Sequence, residues 1–149
     1  MIEIRKANEA DFKNLLTLIK QIDEKEKEYL RYDQESREPF ERLLKNINEG
    51  HVVLFTDSEQ VFGFLEYTIK RDEKIWIYSL YFIKEYRKQV YRLVLPTFVA
   101  MKESYKLPIH FAVDKKNHNM NRIAKFIKAK PIRFYIDGRI EYKVQEVPE

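Results

Sequence analysis

The chain has 149 residues, 44% of them hydrophobic, 35% charged and 14% aromatic, with three glycines, no cysteine and a formal net charge of +4. A chain of this length buries roughly two-thirds of its unfolded surface, enough for one core and too little for two full domains, so residues 1–149 are expected to form a single domain. The lack of cysteine excludes disulfides, thiolate metal ligands and thiol nucleophiles, while Met1–Lys6 carries no signal-like apolar run and no stretch approaches the ~18 apolar residues of a membrane span, so a cytoplasmic location and no membrane partner are expected.

Ile2-Glu3-Ile4-Arg5 alternates with period two and reads as a strand, followed by cap residues Asn8-Glu9-Ala10-Asp11. Phe12, Leu15, Leu16, Ile19 and Ile22 then fall at helical spacing. Asp23 to Glu38 is dominated by charge, and either extends that helix or connects it to the next. Phe40, Leu43, Leu44 and Ile47 rebuild a helical stripe that stops near Asn48-Glu49-Gly50, where Gly50 offers a left-handed cap.

The period then changes. His51–Thr56, Val61–Ile69 and Ile75–Phe82 read as three strands joined by short turns, an antiparallel meander in which two strands are apolar on nearly every residue and so are expected to be buried on both faces. Val90, Leu93, Val94, Phe98 and Met101 give a helix between Val90 and Tyr105. Pro96 would clash there with the carbonyl of Arg92, which argues for a long preceding loop and a start near Arg92 rather than a kinked helix. Ile109–Val113 is a buried strand, Asp114–His118 a turn, and Met120, Ile123, Ala124, Phe126 and Ile127 one face of a further helix that Pro131 ends. Ile132–Ile136 and Arg139–Val144 flank Asp137-Gly138, the strongest local hairpin signal. The fold class expected is α/β in the broad sense, a mixed α+β layer arrangement with a mostly antiparallel sheet of about six to seven strands and about four helices.

Charge is unevenly spread. Residues 84–133 hold thirteen Lys or Arg against Glu85, Glu103 and Asp114, which suggests an anionic partner for this half or, equally, solvated helix faces. His51, His110 and His118 are scattered without ligand spacing, so no metal site is expected, and His110, in an apolar strand, reads as a satisfied core residue.

The element order and two stretches resemble the GCN5-related N-acetyltransferase (GNAT) superfamily across Ile2 to Val144. Ile2–Asp11 is similar to the family's I-R-x-A-x-x-x-D opening, and Leu80-Tyr81-Phe82-Ile83-Lys84-Glu85-Tyr86-Arg87 to its L-x-V-x-P-E-Y-R, the fourth strand and the start of the cofactor loop. The resemblance implies an acyl-CoA-dependent N-acetyltransferase with acetyl-CoA as co-substrate, its pantetheine along the backbone of Tyr81, Phe82 and Ile83 and its pyrophosphate in a Q/R-x-x-G-x-G/A turn backed by a helix N-terminus. Here that turn reads Arg87-Lys88-Gln89-Val90-Tyr91-Arg92, with Val90 and Arg92 where the glycines belong. A β-branched valine resists left-handed backbone. Either Arg87, Lys88 and Arg92 hold the phosphates with their side chains, or the site no longer holds the cofactor.

Matching Asn119 to the family's N-x-x-A-x-x-x-Y makes it a cofactor contact and puts Arg122 at the Ala and Phe126 at the tyrosine that serves as general acid, a role phenylalanine cannot fill. For the catalytic base the sequence offers Glu66 on the neighbouring strand and Tyr78 on the fourth, each with a plain structural alternative as a paired carboxylate or a packed ring. The acceptor is expected to be a small-molecule or peptide amine, drawn by Asp23, Glu24, Glu26, Glu28, Asp33, Glu35 and Glu38, since the first two helices wall the acceptor side in this family. The rival reading is a catalytically inactive GNAT-like module that binds a protein or nucleic acid through Lys115, Lys116, Arg122, Lys125, Lys128 and Lys130. Nucleic acid is the less favoured partner, and a homodimer stays open.

Overall fold

The computed structural model describes residues 1–30, 38–58 and 60–144. Seven strands form one mixed sheet in the order β1-β2-β3-β4-β5-β7-β6: β1 Ile2–Lys6, β2 Val52–Asp57, β3 Gln60–Lys70, β4 Lys74–Phe82, β5 Ile109–Asp114, β6 Lys130–Phe134 and β7 Arg139–Lys143. Five α-helices accompany them among the described residues, one more than expected: α1 Phe12–Lys20, α2 Glu24–Leu30, α3 Glu38–Asn48, α4 Val90–Tyr105 and α5 His118–Phe126. None is long and apolar enough to cross a membrane.

The chain divides into two compact units, Met1–Thr68 with Tyr78–Tyr86, and Ile69–Ile77 with Arg87–Glu149. In the first, β2 pairs antiparallel with both β1 and β3, and the β2–β3 ladder slips by one residue between Phe55 and Thr56. A short 3-10 turn, Glu9–Asp11, opens α1 through a capping box: the Asn8 side chain accepts from Ala10 N–H at 3.0 Å and Asp11 accepts from Asn8 N–H at 2.8 Å. Arg5 closes on Asp11 with two bonds of 2.8 Å and holds its carboxyl below the usual range. Leu15, Leu18, Ile19, Leu43 and Ile47 of α1 and α3 pack on Val52, Leu54 and Phe64. α3 ends in a Schellman motif, with Gly50 at φ +78°, Gly50 N–H bonded to Ile47 O and His51 N–H to Asn46 O. Of the charged stretch, Glu24–Leu30 forms α2, capped by Asp23 on Glu26 N–H and anchored by buried Leu30; its remainder, 31–37, lies outside the described residues.

In the second unit β4 and β5 run parallel over Ile75↔Ile109, Trp76↔His110 and Ile77↔Phe111, which places the two strands side by side as the family resemblance implies, while β7 pairs antiparallel with β5 and β6. The expected late start of α4 is wrong: the helix begins at Val90, directly after a 3-10 turn over Lys84–Gln89, and Pro96 lies inside it. Burial of Val90, Leu93, Val94, Phe98 and Met101 outweighs the one lost bond to Arg92, and Thr97 Oγ1 donates to the Leu93 carbonyl at 2.7 Å beside the gap. Phe126 also departs from expectation. It leaves the buried stripe of Ile123, Ala124 and Ile127 and stands half exposed, with the Tyr91 ring edge-on at 4.9 Å. Pro131 ends no helix, since α5 stops at Phe126; it lies in β6, at the sheet edge, where a missing N–H breaks no ladder.

Candidate functional site

Two segments carry the residues assigned from the sequence. The first is the C-terminal half of β4. Arg42 of α3 donates to Glu66 Oε2 from Nε and to Oε1 from Nη2, both at 2.9 Å, and its guanidinium lies over the Tyr78 ring at 4.3 Å. Tyr78 therefore faces the layer of α3 and Glu66. Tyr81 faces that same layer, with its ring 6.2 Å from Phe64, although it comes three residues later. In a regular strand side chains three apart point to opposite faces, so β4 holds an extra residue between them, where Ser79 and Leu80 are buried in succession. Phe82 then turns to the other face against Phe55 and Phe62. The Ser79 hydroxyl, 2% exposed, has no hydrogen-bond partner among the described residues, as expected where a strand leaves its regular pairing.

Glycine makes the close approach behind this bend. A Cβ on Gly63 would stand 2.6 Å from the Phe82 ring and 2.7 Å from the Tyr81 carbonyl, so β3 can meet β4 there only without a side chain. Ile83 N–H bonds to the Phe62 carbonyl at 2.8 Å, and Tyr86 stacks on Phe62 at 4.2 Å while its hydroxyl donates to Asp57 at 3.1 Å, a bond that raises the phenol's pKa. The end of β4 and the start of the next segment are thereby fixed.

Glu66 and Tyr78, the two candidates for catalysis, are thus brought together through Arg42. Glu66 is wholly buried, and Asn46 Nδ2 adds a third bond at 2.8 Å. A carboxylate so enclosed suits the anchoring of Arg42 better than the collection of a proton from an amine arriving from solvent. Arg42 and Asn46 share a helix face by their spacing of four, but only the packing of α3 over β3 shows that this face meets Glu66.

The second segment is Lys84 to Arg92. It makes no glycine-type turn: every residue keeps negative φ, Val90 included, and the backbone runs as a 3-10 turn into α4. Val90 is buried, Arg87, Gln89 and Tyr91 are half-buried, and Lys88 and Arg92 are exposed. No side chain caps α4 at Gln89 and no acid lies in its first turn, so its positive end adds to these cations. That charge fits a phosphorylated group such as acetyl-CoA even without the glycines.

Asn119 is exposed on the first turn of α5, and the engaged asparagines are its neighbours: Asn117 caps α5, accepting from Met120 N–H at 3.3 Å, and Asn121 donates to the Asp114 and Asn117 carbonyls while accepting from the Tyr142 hydroxyl at 2.8 Å. The N-x-x-A spacing is met by Asn121 and Ala124, the latter fully buried, two residues beyond the register chosen from sequence. In that register Lys128, at φ +57°, stands where the family's tyrosine would be. The alanine three residues after Asn121 is a signal that the sequence itself carries, and its burial agrees with it.

Among the described residues no three His, Asp or Glu converge as a metal site.

At the sequence level no family model and no curated protein matches the chain. Solved structures do. PaiA N-acetyltransferase from Thermoplasma acidophilum, in complex with coenzyme A, is 22% identical, with 97% of this chain and 99% of that chain covered at a TM-score of 0.76. The GNAT domain of S. lividans PAT is 12% identical, with 95% and 89% covered at 0.79, and Campylobacter jejuni N-acetyltransferase PseH, in complex with acetyl coenzyme A, is 14% identical, with 98% and 99% covered at 0.67. With a seven-stranded mixed sheet, a parallel β4–β5 pair and this likeness over nearly its whole length, the chain has the fold of the GNAT acetyltransferases.

Proposed function

We propose that residues 1–149 act as one N-acetyltransferase domain that takes acetyl-CoA as co-substrate and transfers its acetyl group to an amine. The observation that carries the reading is the full-length fold likeness to acetyltransferases, two of them solved with coenzyme A or acetyl coenzyme A. When bound, the co-substrate supplies a thioester, a good acyl donor because a thiolate leaves readily. The irregular end of β4 offers the backbone of Tyr81, Phe82 and Ile83 to the amides of the pantetheine, much as a sheet edge takes an added strand. Arg87, Lys88 and Arg92 hold the phosphates with side chains, aided by the backbone of Gln89, Val90 and Tyr91 at the start of α4. Asn121, tied to Asp114 and Tyr142, replaces Asn119 as the asparagine of the site.

Tyr78 presents the β4 hydroxyl to the acceptor. Glu66 acts as a positioning residue, holding Arg42 over Tyr78, and the amine loses its proton to water. α2 carries only a small negative excess, Glu24, Glu26 and Glu28 against Lys25 and Lys27 with Lys27 3.7 Å from Glu24, and so favours a cationic small-molecule or peptide acceptor by no more than a modest steering effect within a Debye length of about 8 Å. A non-catalytic binding module is the second reading, favoured by the glycine-free turn and by Lys128 in the tyrosine's place.

Release of the coenzyme A thiol, followed with a panel of polyamines, aminoglycosides and lysine peptides at low and high salt, separates the two. Amine-dependent release that weakens with salt is expected. Release confined to neutral or anionic acceptors would sink the acidic-surface argument, and no release with any amine would leave the binding module.

A further inference from the structure

The sheet of the second unit has two unlike faces. Strand register puts Ile75, Ile77, Ile109, Phe111, Val113, Ile140 and Tyr142 on one, and the unit's helices lie against it: Phe98 of α4 meets Phe111, and Asn121 of α5 bonds Tyr142. The alternate residues make the other face. Trp76 of β4 stands beside His110 of β5, His110 beside Lys143 of β7, and Lys143 beside Lys130 of β6, while Arg133 stands beside Glu141, with Lys74 and Arg139 further along. Lys70, at the end of β3, joins them by lying over the Trp76 ring at 4.1 Å.

The charges on this face do not balance locally. Glu141 is 2% exposed and already committed: the Tyr135 hydroxyl donates to it at 2.6 Å, His110 Nδ1 lies 3.0 Å away, and Lys74 reaches only 3.9 Å. Asp114 spends one oxygen on Lys116 N–H. Arg139 Nε pairs with Asp137 at 2.9 Å, and two aromatic rings lie under the cations, Trp76 under Lys70 and Lys74, and Tyr135 under Arg133 and Arg139. Lys70 titrates low, through burial and then through Lys74, Arg71 and Arg139 around it, with Glu141 the one carboxylate that opposes them. Lys70, Arg133 and the exposed Lys130 and Lys143, by contrast, hold no carboxylate of their own among the described residues, so their charge stays available to an anion.

We propose that this face binds single-stranded nucleic acid, a base stacking on Trp76 as Lys70 moves from the ring to a phosphate, and the backbone neutralised by Lys70, Lys74 and the exposed Lys130, Arg133 and Lys143. The spread of the cations across β4, β7 and β6, with β4 and β7 two strand spacings or about 9.5 Å apart, suits an extended polyanion rather than one phosphate. Apart from Lys130, which the two share, the surface differs from the basic residues in and around α5 to which the sequence pointed, and it stands independently of acetyl transfer.

Trp76, the one tryptophan, reports directly on binding. A labelled oligothymidylate of about fifteen nucleotides is titrated by anisotropy while Trp76 emission is followed, with tripolyphosphate and a duplex of equal length as separate arms. Expected are quenching of Trp76 and a slope of log K on log salt of about −3, for roughly four phosphate contacts. K70Q with K74Q should lower affinity at least about tenfold and halve the slope. K130Q with K143Q, both exposed, should weaken binding in the same direction, and K125Q with K128Q, on α5 and just past its end, should not. The proposal is overturned by absent binding at about 50 mM salt, by equal binding of the duplex with Trp76 silent, by tripolyphosphate quenching as strongly as the strand, or by the α5 variant losing as much affinity as the sheet-face variants.

Discussion

Replacing Arg42 by alanine removes two charge-assisted hydrogen bonds from Glu66, a carboxylate with no exposure to water. Breaking a buried pair from one side costs about 3–5 kcal/mol, because the remaining charge keeps its desolvation penalty. The Arg42 side chain is 25% exposed, so water takes part of its place and the lower end, about 3 kcal/mol, is expected. At roughly 2–4 °C per kcal/mol for a chain of this size, the melting temperature falls by about 6–12 °C. Urea unfolding followed by circular dichroism measures the loss. Replacing both partners, Arg42→Met with Glu66→Leu, leaves no stranded charge but strands the buried Asn46 amide, so the double variant should cost about 1–3 kcal/mol, well below the sum of the singles. A single-variant cost under about 1 kcal/mol, or a double-variant cost equal to the sum of the singles, refutes the anchoring argument. Acetyl transfer tests the same point: a base is worth about 10²–10⁴-fold, so a loss of that size in Glu66→Gln, together with loss of the acidic limb of the pH profile, would return Glu66 to the role of base.

Gly63→Ala forces Phe82 and the Tyr81 carbonyl aside; it should cost about 1–3 kcal/mol in urea unfolding and weaken acetyl-CoA binding, and an unchanged protein would mean that β4 yields freely there. Asp11 titrates below its ordinary value of 3.8 because Arg5 bonds it, so its contribution is full above that pH and vanishes as the pH falls through the lower, folded value; the stability gap between the parent and Asp11→Asn, on the order of 2 kcal/mol at neutral pH, should close in acid, and a gap independent of pH would contradict the assignment. Lys106 caps α4 in the left-handed region at φ +58°, so Lys106→Gly should raise stability by about 0.5–1 kcal/mol, and a loss would show that the lysine side chain supports the cap.

The elements legible in the sequence were those whose burial period is undisturbed. The Asn8–Asp11 cap, the stripe of α3 closed by Gly50 and the Asp137-Gly138 hairpin each follow from local chemistry that the fold preserves. β2 and most of β3 are buried on both faces, whereas β4 alternates until Ser79. Pro96 is a poor guide to the start of α4 because the burial of Val90, Leu93 and Val94 ahead of it outweighs a single lost backbone bond. Of the three asparagines at 117, 119 and 121, only Asn121 has an alanine three residues on, so the N-x-x-A spacing favours it over Asn119 already in the sequence, and the burial of Ala124 agrees. The irregularity in β4 had no sequence signal, since Ser79 and Leu80 are ordinary strand residues and the extra residue appears only when Arg42 and Phe64 show which way Tyr78 and Tyr81 point.

Titration calorimetry of acetyl-CoA into the protein tests the central claim most directly. Saturable one-to-one binding is expected, weakened in Arg87→Ala with Arg92→Ala by about 1.5–3 kcal/mol for each charged hydrogen bond lost. Absence of saturable heat in the parent, or an affinity unchanged when both arginines are removed, would contradict an acetyl-CoA site held by side chains in place of the missing glycines.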